Sequence, residues 1–363
     1  MSHRARAIAF YLPQFHPVPE NDAWWGPGFT EWTNTAKAKP LFKGHYQPHV
    51  PADLGFYDLR LSEARAAQAD MAREYGIEAF CYYHYWFGGG RRLLQRPFEE
   101  VLASGTPDFP FCLCWANQTW TGVWHGAPNR VLIEQTYPGP EDHRAHFDYL
   151  LKAFRDPRYV RVDGMPLFIV YNPNELPDSA NLLRQWRQWA AEAGLPGLYL
   201  LAEHKYPDWD PHAAGYDASL IVRLPPRRSD LNRQLSWRHP AEKLRYAYKT
   251  WAGLPTIHGY EVATRQLITS PVAGIPSHPC AIPNWDNTPR SGANGMLLRG
   301  STPELFREHL KAAIARARHA DPGKQLLFIK SWNEWAEGNH LEPDLRFGRA
   351  YLEALRAALT DAG

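Results

Sequence analysis

The sequence predicts an α/β protein folded as a single (β/α)8 TIM barrel, with long βα loops after strands 1 and 6. Three features of the 363-residue chain support this fold class: short apolar runs recur along it, helical patterns separate them, and no glycine-rich loop follows the first run. Buried parallel strands have such near-continuous apolar sequences. An open doubly wound sheet would usually have a glycine-rich phosphate loop after its first strand. We therefore expect residues 1–363 to form one closed-barrel domain.

The eight predicted strands are rich in aromatic and β-branched residues, as buried strands are. They are Ala7–Tyr11, Ala79–Tyr85, Phe111–Ala116, Leu167–Tyr171, Leu198–Ala202, Ala218–Val222, Cys280–Asn284 and Leu326–Ser331.

Helical patterns fill the gaps between several of these strands. Gly76 is a stop signal after the first helix, and Thr302 is a suitable N-cap before Pro303. The predicted helices are Leu59–Tyr75, Glu141–Phe154, Ala180–Ala193, Pro303–Ala320 and Gly348–Leu359, with a further one near Ala241–Trp251.

Two stretches are too long for ordinary βα loops, namely Pro13–Leu54 and about Pro225–His278. Loops of this length are often functional. The first contains several Trp, Glu and His residues, so we expect it to contribute to a binding site.

Bulk composition excludes several classes of partner. The net charge is +2, with 40 basic and 38 acidic residues, which argues against nucleic acid and against a polybasic membrane patch. No apolar run is long enough to span a bilayer, and the apolar stretch before Pro13 is too short for a signal peptide. The cysteines Cys81, Cys112, Cys114 and Cys280 are expected to be buried thiols, which suits a reducing compartment and a cytoplasmic location.

Aromatic residues are abundant, with 15 Trp, 18 Tyr and 16 Phe. Many lie next to His, Asn, Asp or Glu, and such pairs complement the apolar faces and hydroxyl edges of sugar rings. Core packing is the alternative explanation for any single Trp. Clusters favour a ligand platform: Trp24 with Trp25, Trp115 with Trp120 and Trp124, and Trp332 with Trp335.

The carboxyl ends of barrel strands converge on one face, where active sites of this fold lie. Aromatic and polar residues stand together at most of the predicted strand ends, and this indicates an oligo- or polysaccharide ligand. The candidate substrate-binding residues are Tyr11, Trp25, Glu31, Trp32, Tyr83, His84, Tyr85, Trp86, Trp115, Asn117, Trp120, Tyr171, Asn172, Glu203, His204, Trp285, Asp286, Asn333, Trp335 and His340.

Some of these candidates have two interpretations. His84, His204 and His340 are either structural histidines at the rim or hydrogen-bonding partners of sugar hydroxyls. Arg290 either positions Asp286 or binds an acidic group of the substrate, and the sequence leaves both roles open.

The motif Ser331–Gly338 contains two carboxylates, Glu334 and Glu337, where the last strand should end. In an extended strand they would be about 10 Å apart on opposite faces. In a turn, residues three apart approach to about 5–6 Å, and Gly338 permits a tight bend. Two carboxyls that close cannot both ionise freely, so one keeps its proton to higher pH. We therefore predict that this pair is catalytic, as in glycosidic bond cleavage; the alternative is an ion-paired Glu at the barrel rim.

The chain resembles the WbsX-like family, which is found with O-antigen and other surface-polysaccharide genes and is commonly labelled glycosyltransferase. That family is in turn similar to glycoside hydrolase family 99, the retaining endo-α-mannosidases with (β/α)8 barrels. The resemblance covers nearly the whole chain. Its motifs are Tyr11–Pro17, Trp24–Trp32, Gly44–Pro48, Trp285–Arg290 and Trp332–Pro343.

The resemblance implies a retaining, endo-acting glycoside hydrolase that acts on a bacterial surface polysaccharide or a mannose- or deoxymannose-type glycan. By this similarity, Glu334 would assist the substrate's own 2-hydroxyl as an internal nucleophile, through an anhydro-sugar intermediate. Glu337 would act first as general acid and then as general base. No metal and no organic cofactor is implied.

Other functions remain open on the sequence alone. A glycosyltransferase of O-antigen or polysaccharide biosynthesis would use a sugar nucleotide, and Asp208-Trp209-Asp210 matches the short metal-binding pattern of such enzymes. A transglycosylase or a non-catalytic carbohydrate-binding barrel is also compatible. The sequence does not determine the sugar, the linkage or the oligomeric state.

Overall fold

The computed structural model describes residues 5–122, 127–226 and 251–361, and its centre is a closed barrel of eight parallel strands. Each strand pairs with the next along the chain, and the last pairs with the first. The predicted (β/α)8 barrel is therefore confirmed. The strands are β1 Arg6–Tyr11, β2 Ala79–Trp86, β3 Phe111–Trp115, β4 Met165–Val170, β5 Tyr199–His204, β6 Ala218–Ile221, β7 Ser277–Ala281 and β8 Leu326–Ile329.

One strand differs in position from its prediction. The sequence places strand 7 at Cys280–Asn284, but β7 begins three residues earlier, at Ser277. Ser277 and His278 pair with Ser219 and Leu220 of β6, so polar residues start this strand. A search for apolar runs misses such a start, because it recognises the strand only at Cys280.

Helices follow most of the strands and cover the barrel. The N-cap at Thr302 is confirmed, since its hydroxyl accepts a hydrogen bond from the Leu305 amide at 3.3 Å. The helices are α1 Pro19–Trp25, α2 Glu31–Lys37, α3 Ser62–Glu74, α4 Arg96–Ser104, α5 Pro140–Phe154, α6 Ser179–Glu192, α7 Tyr260–Leu267, α8 Thr288–Ser291, α9 Pro303–Ala317 and α10 Ala350–Asp361.

Both predicted long loops are present. The loop after β1 contains α1 and α2, and α2 starts with a capping box in which Thr30 and Thr33 bond reciprocally. The loop after β6 contains α7 and a short strand, Thr256–Gly259, that pairs with Met296–Arg299. Residues 241–250 of the further predicted helix, and Trp124, lie outside the described residues.

The core is formed by the barrel strands and the helix faces that pack on them. All eight residues of β2 are buried, as expected for a parallel sheet covered on both sides. The four cysteines are buried and free. No helix in the described ranges is long and apolar enough to cross a membrane.

Candidate active site

The segment after β8 folds into a tight hairpin that holds both predicted carboxylates. Asn333–Glu334 pairs antiparallel with Asn339–His340. Between these two short strands, Trp335–Glu337 forms one 3-10 turn. The bend predicted for this motif is therefore present: Glu334 immediately precedes the turn, and Glu337 is its last residue.

Gly338 ends this turn in the left-handed conformation, with φ of 56°. A Cβ at this position would lie 3.0 Å from Cβ and 3.2 Å from the amide nitrogen of Asp286. The Asp286 amide donates to the carbonyl of Glu337 at 2.5 Å. Glycine is thus required both by the backbone conformation and by the close approach of the loop after β7.

Glu334 is buried, with 6% of its surface exposed. Its Oε2 atom has no hydrogen-bond partner among the described residues. Burial, and then the charge of Glu337, raises the pKa of Glu334 to about 8, although Arg290 and Lys330 act in the opposite direction. The carboxyl group of Glu334 is therefore mostly protonated at neutral pH.

Glu337 has a different environment from Glu334. Its Oε1 accepts a hydrogen bond from Arg290 Nη1 at 2.7 Å. The same guanidinium group donates from Nε to Glu31 Oε1 at 2.8 Å. Burial raises the pKa of Glu31, while Arg290 lowers it. Arg290, from α8, thus joins a carboxylate of the first loop to one of the catalytic candidates, which is a third role beyond the two left open by the sequence.

Asp286 lies directly behind the turn and is held as a carboxylate. It accepts hydrogen bonds from His45 at 2.6 Å, from the Thr288 hydroxyl at 2.6 Å and from Gln47 at 2.8 Å. Burial opposes ionisation, but these hydrogen bonds lower the pKa of Asp286. His45 and Gln47 belong to the Gly44–Pro48 motif of the first long loop, but the sequence analysis did not include them among the candidate site residues.

Lys330 is a second missed residue. Its ammonium group is 3.0 Å from Glu203 Oε1; Lys330 is buried, and the side chain of Glu203 is 10% exposed. The same nitrogen lies 5.0 Å from the ring centre of Tyr171 and 5.3 Å from that of Phe10, which is cation–π distance. Lys330 is the one charged residue in the predicted strand Leu326–Ser331, and that isolation was the available signal.

The alternation of side chains along β2 separates its four candidates. Tyr83 faces the interior, where its ring lies 5.9 Å from the Lys330 ammonium. Tyr85 also faces inward: burial, and then the charge of Glu334, raises its pKa. His84 and Trp86 point outward to α5, with His84 Nε2 2.8 Å from His146 Nε2 and the Trp86 indole donating to Asp142.

His84 and Trp86 therefore do not reach the site, because successive residues of a strand point to opposite faces. The same rule removes two further candidates. Tyr11 donates its hydroxyl hydrogen to Gln68 on α3 at 2.7 Å. The ring of Trp115 stacks on Trp186 of α6, with ring centres 6.3 Å apart.

Three tryptophan candidates lie in the loops around the barrel mouth and are partly exposed, namely Trp25, Trp32 and Trp120. The ring of Trp120 is 5.1 Å from that of Tyr85. The ring of Trp32 is 5.5 Å from that of Trp335. Trp120 thus borders the inward-facing Tyr85, and Trp32 packs against the turn that holds the carboxylate pair. The exposed surface of both rings is available to a ligand.

The three asparagine candidates, Asn117, Asn172 and Asn333, form hydrogen bonds that connect neighbouring loops. The amide group of Asn117 donates to the carbonyl of Asn172 at 2.9 Å and accepts from its amide at 2.8 Å. Asn333 makes the same two-way contact with the backbone of Leu12, at 2.7 and 3.1 Å. The side chains of Asn117 and Asn333 thus hold the ends of neighbouring strands together, whereas Asn172 takes part through its backbone.

The remaining candidates have structural contacts. The indole ring of Trp335 stacks on His340 at 3.8 Å, and its nitrogen donates to Glu342 at 2.6 Å. Trp285 packs in a second apolar cluster with α7. His204 stacks on Trp209 at 4.5 Å.

Glu342 is a further buried acid that the sequence reasoning did not select. It accepts hydrogen bonds from Trp335, from Tyr57 at 2.8 Å and from Gln68 at 2.7 Å. Burial raises the pKa of Glu342 to about 7, against the effect of these donors. Its three donors come from different parts of the chain, so Glu342 organises the support behind the turn.

This barrel has the fold of a group of glycoside hydrolases. The family 99 endo-α-mannosidase from Bacteroides thetaiotaomicron, solved with bis-tris-propane, aligns with a TM-score of 0.57 at 15% identity, over 98% of this chain and 97% of that one. A protein described as glycoside hydrolase-like aligns with a TM-score of 0.57 at 16% identity, over 98% of this chain and 94% of that one. At such low identity the likeness concerns the fold alone.

The chain belongs to the glycosyltransferase WbsX family, whose profile matches residues 7–355. It is also 39% identical over 359 residues to the uncharacterized protein WxcX of Xanthomonas campestris pv. campestris, in strains B100 and ATCC 33913. These matches cover 99% of this chain but 50% of each relative, so the chain spans about half the length of the curated relatives it matches.

Proposed function

We propose that the protein is a retaining glycoside hydrolase that cleaves a surface polysaccharide or another mannose- or deoxymannose-type glycan within the chain. The main support is one relationship: two buried carboxyl groups lie at the two ends of a single turn at the mouth of a barrel, and their surroundings differ. Glu334 lacks a hydrogen-bond partner for one oxygen among the described residues, whereas Glu337 is paired with Arg290. An acid and a base side by side are what glycosidic bond cleavage requires.

The proposed first step breaks the glycosidic bond without a protein nucleophile. Glu334 takes the proton of the substrate's 2-hydroxyl, and that oxygen attacks the anomeric carbon. The bond from this carbon to the leaving oxygen breaks, and Glu337 supplies the proton to the leaving group. In the second step Glu337 takes a proton from water, and the water oxygen attacks the anomeric carbon. The bond from this carbon to the 2-oxygen breaks, and the 2-oxygen regains its proton from Glu334.

These roles require the proton on Glu337 at the start, but the free protein favours it on Glu334. A coupled pair shares its protons, so a small change in surroundings can move one between its members. Arg290 also contacts Glu31. We propose that substrate binding weakens the contact between Arg290 and Glu337, and that the shared proton then passes to Glu337.

Residues around the pair are proposed to bind the sugar. Tyr83 and Tyr171 present their rings to the interior beside Lys330, and Tyr85 lies near Glu334. Aromatic faces with adjacent polar groups suit a pyranose ring. Trp32 and Trp120, at the mouth, are proposed to contact neighbouring sugar units of a longer chain.

The test is cleavage of a panel of bacterial surface polysaccharides and mannose- or deoxymannose-containing glycans by the purified protein. Wild type should release oligosaccharides whose new reducing end retains its anomeric configuration in the first minutes, as followed by proton NMR. Glu334→Gln and Glu337→Gln should each lose release while keeping a wild-type circular dichroism spectrum. Glu78→Gln is the matched control, because Glu78 pairs with Arg6 before β2, at the opposite end of the barrel. Full activity in either catalytic variant would refute the assignment.

The family description favours a second candidate, a glycosyltransferase. Asp208 and Asp210 match the short metal-binding pattern of such enzymes, but the one group of metal-ligand residues within the described ranges does not include them. Metal-dependent binding of a sugar nucleotide would support the transferase. Transfer of a glycan to added acceptor sugars, lost in both Glu variants, would indicate a transglycosylase. Glycan binding that survives in both variants, with no turnover, would indicate a binding protein.

A further inference from the structure

A group of three buried side chains lies behind the turn and has no role in the proposed reaction. His49 comes from the loop after β1, and His340 and Asp344 follow β8. Nδ1 of His49 is 2.9 Å from Nε2 of His340. One possible ligand atom from each of the three side chains, a ring nitrogen or a carboxylate oxygen, lies within 4.8 Å of the other two. We propose that His49, His340 and Asp344 bind one divalent transition-metal ion, with Zn²⁺ as the preferred ion.

The two imidazoles offer lone pairs at this point. His340 Nδ1 lies 2.9 Å from the carbonyl oxygen of Glu342, so this nitrogen donates and the neutral ring keeps a lone pair on Nε2. Two arrangements fit the short distance between Nδ1 of His49 and Nε2 of His340. Either the two nitrogens share one proton, or both bind the same metal cation. Both rings are buried, and their facing nitrogens meet at the same point as the carboxylate of Asp344.

The carboxylate of Asp344 is held in a fixed orientation. Its Oδ1 accepts from the amides of Arg346 at 3.0 Å and Phe347 at 2.7 Å. Its Oδ2 accepts from the hydroxyl of Tyr46 at 3.1 Å. Metal ligands in proteins are commonly oriented by such outer hydrogen bonds, including a donor bond from a ligating histidine to a backbone carbonyl.

Space for an additional ligand is available at the same place. His49, His340 and Asp344 line a cavity of about 20 Å³, together with Asn284. A volume above about 10–15 Å³ can hold one water molecule. Two imidazoles, one carboxylate and one water form a coordination set that suits zinc, and imidazole ligands disfavour Ca²⁺ and Mg²⁺.

A second buried histidine pair gives a comparison within the same protein. His84 and His146 approach to 2.8 Å between their Nε2 atoms. No third metal-ligand group joins them within the described parts of the chain. A shared proton accounts for that pair fully, but it would not explain the convergence of Asp344 on the first pair.

The proposed ion would have a structural role. His340 pairs with Asn333 in the hairpin that holds Glu334, and His49 belongs to the first long loop. An ion at this point would join the loop to the hairpin behind the catalytic candidates. Binding of the metal is measured without substrate, so the metal site and the proposed hydrolase activity can fail independently.

The experiment is metal analysis of the full chain. The purified protein is stripped with EDTA, given a small excess of Zn²⁺ and dialysed, and the bound metal is measured by mass spectrometry. Co²⁺ is added to a second sample to read the ligand field from its visible absorption. Wild type should retain about one equivalent of Zn²⁺. His49→Gln and Asp344→Asn should retain essentially none, and His146→Gln, from the second pair, should bind as wild type does.

Tyr46→Phe gives a graded test that keeps all three ligands. Loss of its hydroxyl should weaken Zn²⁺ binding by about 10- to 100-fold, as measured by competition with a chelating dye. This variant is decisive if a ligand variant fails to fold. The proposal is overturned if wild type retains no stoichiometric Zn²⁺, or if Asp344→Asn and Tyr46→Phe bind it as tightly as wild type.

Discussion

Arg290 donates a hydrogen bond to Glu337 across 2.7 Å, so one member of the carboxyl pair is ion-paired, whereas Glu334 has no ion pair among the described residues. The same cation lowers the pKa of Glu334, although burial and Glu337 raise it to about 8. The positive charge of Arg290 therefore favours loss of protons from the pair. Its removal should change the pH range in which the pair holds a single proton.

Arg290→Gln should move both limbs of the pH profile of kcat/KM to higher pH, by about 1–3 units, which is the usual effect of one nearby opposite charge. The direction follows because a lost cation makes each deprotonation harder. Arg290→Lys keeps the charge but loses the two-sided geometry, so its profile should shift less. The measurement is glycan cleavage between pH 4 and 9. An unmoved profile in Arg290→Gln would show that this residue does not control the pair.

Glu334→Gln should alter the pH dependence of stability. The folded-state pKa of Glu334 is raised from 4.5 to about 8, so between these values the unfolded chain loses a proton that the native protein keeps. Wild-type stability therefore falls as pH rises, by up to about 1.4 kcal/mol per pH unit from this group. The variant lacks this loss, so its stability relative to wild type should grow above about pH 5 and level off above pH 8.

Urea unfolding at pH 5, 7 and 9 measures this difference. Glu342, whose pKa is raised to about 7, is present in both proteins and cancels in the comparison. A stability difference that stays constant across the three pH values would mean that Glu334 titrates normally.

Gly338→Ala should destabilise the turn by about 2–5 kcal/mol. The left-handed conformation accounts for about 1–2 kcal/mol, and overpacking against Asp286 adds about 1–3 kcal/mol. Gly348→Ala is a matched control, since Gly348 has φ of 54° but no atom within 4 Å of an added Cβ. The Gly348→Ala variant should therefore lose only the about 1–2 kcal/mol that the left-handed conformation costs. Equal losses in the two variants, measured by urea unfolding, would rule out the contact with Asp286.

The barrel and the turn were predictable from the sequence because both depend on local patterns. Apolar runs define the strands, and Gly338 after two nearby carboxylates indicates the bend. The sequence was a poorer guide to which face of a strand each side chain occupies. All residues of β2 are buried, so hydrophobicity does not distinguish the inward Tyr83 and Tyr85 from the outward His84.

Contacts between distant parts of the chain could not be predicted from the sequence either. His49 and His340 are 291 positions apart, and no spacing rule joins them, so the sequence implied no metal. Arg290 could be seen near Asp286 in the sequence, but its partner Glu31 lies 259 positions away. Only the closed barrel brings the first long loop against the loops after β7 and β8.

The buried pair of Lys330 and Glu203 gives the last prediction. Lys330→Met leaves the Glu203 carboxylate buried without its cation, and Oε2 of Glu203 already lacks a partner among the described residues. Breaking a buried pair in this way costs about 3–5 kcal/mol, whereas replacing both members by apolar residues is often neutral. Glu203→Leu with Lys330→Met should therefore regain most of the stability lost by the single variant.

A double-mutant cycle of urea unfolding at pH 7 measures the coupling, with Glu203→Leu as the other single variant. That variant should also be strongly destabilised, because it leaves the Lys330 ammonium without its partner carboxylate, among the rings of Phe10, Tyr83 and Tyr171. The two single losses should sum to several kcal/mol more than the loss in the double variant. Additive losses would mean that the two charges are solvated independently, and the interior would then be wetter than the packing of these rings implies.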